Sequence, residues 1–357
     1  MHRRRSRGAV PLLALWCGFS APSPAASAGP DGGAEPSQEV RSAAYAHLEA
    51  LAGLGPRPPG SDAAVAAADY IRQQLSRQGL ELAELSGPPT GGLADAAPPP
   101  RVLIAEIPGE SPDLVVAFAP FGSEPFETFR FVGANDGASG AAVLLEIASA
   151  IAREPLPYTT WIAFTLGDRD PKPGEDPVSA VPASQLLVRE LEKRGLLSRV
   201  RLAVYWNQVG DRDLQISRDL FSERVARGLF FDEAARLGFA PQFPAAAPFD
   251  SLDGGHRAFW AAGMRRVVAL VDDRFGGTEP PGAYWHTEED TAEMCAPESL
   301  DAVLRVSEAG LRATTARLAK LDAWSRRPVA REPEVPRHAP SVSEQSPSAT
   351  EEWEDGP

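Results

Sequence analysis

Apolar residues recur along the chain in two rhythms. Continuous runs of strand length, Val102 to Ile107, Leu114 to Ala119, Trp161 to Leu166, Leu202 to Trp206 and Val267 to Val271, predict strands buried on both faces. Between them, apolar positions recur at helical spacing. Val65, Ala68, Ile71 and Leu75 share one face of a segment that Ser61 can cap and Gly79 can end. Val143, Leu144, Ile147 and Ile151 make a second such face, and Leu186 to Leu191 a third. Pro88 to Pro100 is a Pro/Gly-rich loop, and no internal repeat is visible. Buried strands alternating with amphipathic helices predict an α/β domain over residues 40–322, a single three-layer sandwich with helices on both faces of one sheet. In such sheets ligands sit beyond the carboxyl ends of the strands, so the segments that follow the apolar runs are where chemistry is sought.

The two ends break the pattern. Arg3, Arg4, Arg5 and Arg7 precede a short apolar stretch, Val10 to Phe19, and then Ala26-Ser27-Ala28, the three-part order of an export signal over residues 1–28. The stretch is too short to span a bilayer. Residues 29–39 read as a linker, and residues 323–357, rich in Pro, Ser and Glu and without periodicity, as a disordered tail. Export, to a periplasm or outside the cell, is the expectation.

Charge then removes one class of partner. The chain carries 35 basic and 49 acidic side chains, a net charge of -14, and loss of residues 1–28 takes away four arginines and no acid, deepening it to -18. Nucleic-acid binding needs the opposite sign. The two cysteines, Cys17 and Cys295, build neither a disulfide framework nor a thiolate metal site, so any metal would rest on His and carboxylates.

The segments after the apolar runs hold those residue types. Gly133-Ala134-Asn135-Asp136-Gly137-Ala138-Ser139-Gly140 turns tightly and projects Asp136 ahead of a helix; Gly167-Asp168-Arg169-Asp170 supplies two more acids; Tyr284-Trp285-His286-Thr287 supplies an imidazole. Asp136 alone would be an ordinary capping turn, and His286 alone a structural histidine. Together with Asp168 and Asp170 at one sheet edge, they resemble the mixed His and carboxylate set that zinc chemistry requires. Asp253 and His256, in Asp253-Gly254-Gly255-His256, are placed to line the same pocket, with Asn207 and Trp285. His47 and His338 receive no role.

In this order, the segments resemble the family-28 zinc metallopeptidases, secreted aminopeptidases that include the glutaminyl cyclases, over residues 40–318. Leu54-Gly55-Pro56-Arg57-Pro58-Pro59-Gly60-Ser61 resembles the family's opening motif, Gly133–Gly140 its metal-binding turn, and Tyr284–Thr291 with Pro297-Glu298-Ser299-Leu300 its C-terminal signature. The resemblance implies a zinc-exopeptidase-like α/β fold with a mixed, mostly parallel sheet, and Asp136 and His286 as zinc ligands.

The departures fall on the chemistry. Pro120 and Gly122 stand where the family has a His and an Asp; Asp168 and Arg169 stand where it has an acidic pair, general base then ligand; Asn207 stands where a two-metal enzyme has an Asp. A guanidinium repels a metal and an amide is a poor zinc ligand. At most one zinc, held by Asp136, His286 and Asp170 with Asp168 as acid/base, or by Asp168 in place of Asp170, is compatible with this set. Pro171 restricts Asp170 to extended backbone and opposes that arrangement. The expectation is therefore a degenerate member with weak or no hydrolytic activity whose pocket takes a peptide or small polar ligand, Arg169 pairing with Asp136 or Asp168. The alternative is an active one-zinc aminopeptidase or glutaminyl-peptide cyclotransferase, with Trp285 walling the substrate pocket.

Overall fold

The computed structural model describes residues 42–88, 98–169, 172, 174, 176 and 180–325. The expected export signal, the linker, Asp170 and all but three residues of the expected tail lie outside them.

Two helices, α1 (Ala43–Gly53) and α2 (Asp62–Arg77), open the fold. Ser61 caps α2 as its sequence predicts, accepting the Ala64 N–H at 3.1 Å, and Gly79 ends it with φ +75. A strand that the hydrophobic pattern does not reveal follows, β1 (Leu82–Ser86). It is an edge strand, mostly exposed, so few of its side chains need be apolar. Then come β2 (Arg101–Ile107), β3 (Ser111–Pro120), α3 (Gly140–Arg153), β4 (Tyr158–Leu166), α4 (Pro182–Lys193) and β5 (Val200–Asn207). A short pair, β6 (Arg218–Asp219) and β7 (Phe249–Asp250), flanks α5 (Arg224–Leu237); α6 (His256–Ala261), β8 (Val267–Val271) and α7 (Pro297–Ser325) complete the chain. All five expected strands and all three expected helices are present.

The main sheet has the order β1-β2-β4-β3-β5-β8. β1 and β2 pair antiparallel and β2 runs antiparallel to β4, whereas β4, β3, β5 and β8 are mutually parallel. Alternate side chains of the central strands enter two separate cores. Val115 and Ala117 of β3 and Leu202 and Val204 of β5 pack under α1, α2, α3, α5 and α7. Val116 and Phe118, with Ala203 and Tyr205, pack under α4 and α6. That division is the three-layer sandwich.

The 29-residue α7 carries no clear sequence signal, because its buried stripe interleaves Ser299, Ser307, Gly310, Thr314 and Thr315 with its apolar residues. Gly310 is required there: a Cβ would come within 2.4 Å of the Phe230 ring on α5. α7 also runs to Ser325, so residues 323–325 are helical rather than part of a tail. Among the described residues, no helix is long and apolar enough to cross a membrane.

Topology locates the site. From β3 the chain passes through α3 to β4 on one side, and from β4 through α4 to β5 on the other side of β3. Because α3 and α4 lie on opposite faces, a crevice opens beyond the carboxyl end of β3, the switch point at which such sheets bind ligands.

Candidate functional site

A cavity of about 500 Å³ occupies that crevice. Asp136, Asp168, Arg169, Asn207 and Asp253 line it, within a wall rich in proline. Five of the side chains singled out from sequence thus meet one space.

The turn that projects Asp136 is held by close backbone approach. Gly133 is left-handed, and Gly137 has φ +109; a Cβ on Gly137 would lie 2.0 Å from the Gly122 carbonyl oxygen. Beneath it sits Asp290, fully buried, whose carboxylate accepts the N–H groups of Asn135 (2.6 Å) and Asp136 (3.0 Å). Arg57, also fully buried, ties the same layer together. Its guanidinium donates to the carbonyls of Phe121 (3.0 Å), Leu51 (3.2 Å), Gly55 (2.9 Å) and Gly133 (2.8 Å). Arg57 comes from the opening motif, so that motif acts here as the frame for the Asp136 turn.

Burial and the nearby Asp136 charge push the Asp290 carboxyl up to about 7; burial, and secondarily Asp211 and Asp273, does the same to Asp272. Burial lowers Arg57 to about 10 even though Asp290 and Asp136 oppose that shift. The two raised carboxyls fix the sign of a pH dependence. In the unfolded chain they ionise near 4 and in the folded protein near 7, so between those values the native state holds more protons and stability falls as pH rises. Urea unfolding is expected to show a decline from pH 5 to pH 7 of about 2 kcal/mol per group, flat above that. A stability that rises across this interval would contradict the burial of these acids.

The Asp136 carboxylate has protein partners at both oxygens. Oδ1 accepts the side-chain amide of Asn207 at 2.8 Å, and Oδ2 lies 3.2 Å from Nε2 of His286. The Asn207 orientation is fixed by its other end, since Oδ1 accepts the Gly137 N–H at 3.0 Å and Nδ2 must therefore face Asp136. His286 also lies 3.5 Å from the Glu124 carboxylate. Trp285 stacks on His286 at 3.8 Å and 11°, and Phe126 and Phe131 meet it edge-on at 5.1 and 5.6 Å. Both His286 and Gln208 adopt left-handed backbone, each with φ 53. Non-glycine residues in that region cluster where structure is shaped for function.

Asp168 is placed differently from its expected role. Its Oδ1 accepts the N–H groups of Ala183 (2.8 Å) and Ser184 (3.0 Å), and its Oδ2 accepts the Ser184 hydroxyl at 2.5 Å. It therefore satisfies the free N–H groups at the start of α4, a helix whose own N-cap residue, Val181, has no side chain to do so. Burial raises this carboxyl above the usual range while those hydrogen bonds oppose the shift.

Two expected pocket residues require correction. His256 is fully buried, does not line the cavity, and lies 3.7 Å from the equally buried Asp219 beside the Tyr205 ring, because its helix packs inward against β5. Trp285 does not line the cavity either; its flat contact is with His286. Asp253 does line it, at an exposed position 3.3 Å from Arg257. Of the carboxylates expected to meet Arg169, Asp136 has Asn207 and His286 as partners and Asp168 has the α4 N-terminus. Asp170 lies outside the described residues.

Glu124, Asp290 and the aromatic pair Phe126 and Phe131 were not foreseen. Each lies in a loop far in sequence from its partner, and only Asp290, within the C-terminal signature, carried any sequence-level hint.

Zinc binds ligand lone pairs at about 2.0–2.2 Å for N and O. Among the described residues, no three His, Cys, Asp or Glu side chains are grouped to hold a metal ion. Gly122 offers no side chain to a metal; a Cβ there would lie 2.5 Å from the end of the Leu166 side chain and 3.1 Å from the Arg57 carbonyl oxygen. The described residues bring Asp136 and His286 together with Glu124 beside them, and Asp170 lies outside the described residues.

Residues 103–168 match peptidase family M28. No curated protein matches the chain. Among solved structures, a glutaminyl cyclase from an Acidobacteriales bacterium superposes with a TM-score of 0.68 at 23% identity, covering 77% of this chain and 94% of that one. A leucine aminopeptidase precursor from Bacteroides thetaiotaomicron gives 0.67 at 20% identity, over 76% and 96% of the two chains. A Zn-dependent exopeptidase from Parabacteroides distasonis gives 0.65 at 21%, over 76% and 97%. The chain is therefore M28-like, matching that family over residues 103–168 and sharing the fold of glutaminyl cyclases and zinc exopeptidases.

Proposed function

We propose that this is an exported, degenerate M28-like protein, which keeps the family's pocket for a peptide or small polar ligand and has weak or no hydrolytic activity. The observation that carries the reading is the position of Asp168. Where the family places its general base, the carboxylate has three donors at the α4 N-terminus, so taking a proton from a water would compete with that cap. Asp136, bonded by Asn207 and faced by His286, is likewise engaged as a structural anion. Arg169, Glu124 and Asp253 are the other charged groups around the cavity, beside a proline-rich wall, and supply charge of both signs for a polar ligand. A cavity of about 500 Å³ is the right size for such a ligand. A fold relative, a glutaminyl cyclase from Bacteroides thetaiotaomicron, has been solved bound to N-acetylhistamine. Export rests on the basic start, the apolar stretch and Ala26-Ser27-Ala28.

A second reading, a one-zinc aminopeptidase or glutaminyl cyclase, draws on the convergence of Asp136 and His286 at 3.2 Å. A panel of aminoacyl fluorogenic substrates and glutaminyl peptides, with zinc added, separates the two. The expected outcome is no turnover above buffer. Saturable, zinc-dependent turnover that disappears in Asp136→Ala would establish the second reading.

A further inference from the structure

A second open cavity, of about 750 Å³, lies at the other end of the sheet. Val200, the first residue of β5, lines it, whereas Asn207, the last, lines the candidate site. Its floor is apolar, formed in part by Leu229, Met264 and Leu318, and Arg265, Arg266 and Arg317 stand around it. Glu223, the one acid of the lining, is already engaged by the N–H groups of Val225 and Ala226. Arg265 lies over the Trp260 ring at 4.8 Å. Arg266 and Arg317 are exposed, and among the described residues neither guanidinium meets a carboxylate. Val225 of α5, 49% exposed, and Leu321 of α7, 50% exposed, also line it, and Trp324, 72% exposed, lies three residues beyond Leu321 on the same helix. An apolar patch bordered by unpaired arginines, on a chain of net charge -14, marks a binding surface for something both apolar and anionic.

The chain itself contains such a segment. Glu351-Glu352-Trp353-Glu354-Asp355 sets one large aromatic side chain among four carboxylates. It follows α7, whose Arg317, Leu318 and Leu321 line the cavity. The 28 positions from Ser325 to Trp353 reach up to roughly 90 Å when extended, so the segment can turn back onto the helix that lines the cavity. We propose that this arginine-bordered cavity is the docking site of the chain's own Glu351–Asp355 segment. Trp353 fills the apolar floor, as aromatic anchors do at interfaces, and the carboxylates pair with Arg265, Arg266 and Arg317. Tethering supports it, since a covalently linked segment is present at an effective concentration of about a millimolar, so even a weak contact stays occupied.

Amide hydrogen exchange on the full chain tests this. Residues 351–355 are expected to exchange at least tenfold more slowly than the free-peptide rate, independently of protein concentration. In Arg266→Glu/Arg317→Glu that protection is expected to vanish while the sheet amides keep theirs. Combining it with Glu351→Lys, Glu352→Lys, Glu354→Lys and Asp355→Lys is expected to restore it, which a merely unfolded variant would not do. Free-peptide exchange in the unaltered chain would overturn the proposal. So would protection that grows with protein concentration, which would assign the segment to a second copy, or failure of the charge swap to restore it.

Discussion

Replacing Arg57 by alanine is expected to destabilise the protein by about 3–5 kcal/mol, among the largest effects of any single change here. The guanidinium is completely buried and donates to four carbonyl oxygens on three separate segments, at Leu51, Gly55, Phe121 and Gly133. Its loss leaves those acceptors without their donor and opens a cavity the size of an arginine side chain. It also removes a positive charge that interacts with Asp290 and Asp136. Arg57→Lys keeps the charge but not the planar fork, and should recover only part of the loss. Urea unfolding at pH 6 reads the difference; a change below about 1 kcal/mol would show that Arg57 is not the frame of the turn.

Asp290→Ala should come next, at about 3 kcal/mol, because it strips the acceptors from two buried backbone N–H groups. Its consequence is local as well as global. Those N–H groups belong to Asn135 and Asp136, so the turn that aims Asp136 at Asn207 and His286 loses its support. Because Asp290 is one of two carboxyls pushed up to about 7, the variant should also lose about half of the decline in stability between pH 5 and pH 7. Asp290→Asn is the informative companion. Its amide oxygen can accept one N–H while its NH2 opposes the other, so it should fall between the two. A variant as stable as the parent, with an unchanged pH profile, would contradict this role.

The sandwich was legible in the chain because its central strands are buried on both faces, so their apolar runs stand out without alignment or context. β1 was not legible because an edge strand needs little apolar surface, and α7 because small polar residues and Gly310 fill the stripe where it packs close to α5. In the site, the Gly133–Gly140 turn, Asp136, Asn207 and Asp253 could be placed from sequence, since strand ends of an α/β sheet converge. What could not be read was the direction of each side chain. Asp168 sits where a base is expected, yet its oxygens point at α4; His256 follows a glycine pair near the pocket, yet its helix turns it inward. Glu124 and Phe126 reach His286 across more than 150 residues of chain, a proximity that no local pattern encodes.

The side chains of the site also support one another. A side chain at Gly122 would meet the end of the Leu166 side chain at 2.5 Å, so Leu166 would have to shift to admit one. With Asn207 donating to Asp136, a carboxylate that would otherwise need a counter-charge is stabilised by an amide and an imidazole. The cavity persists around these contacts.

The most direct test of this account is the zinc content of the protein after chelator washing, zinc reloading and desalting, measured by elemental analysis on the full chain. The account predicts well below one equivalent, unchanged in Asp136→Ala. One tightly held zinc per chain, lost in Asp136→Ala, would contradict it.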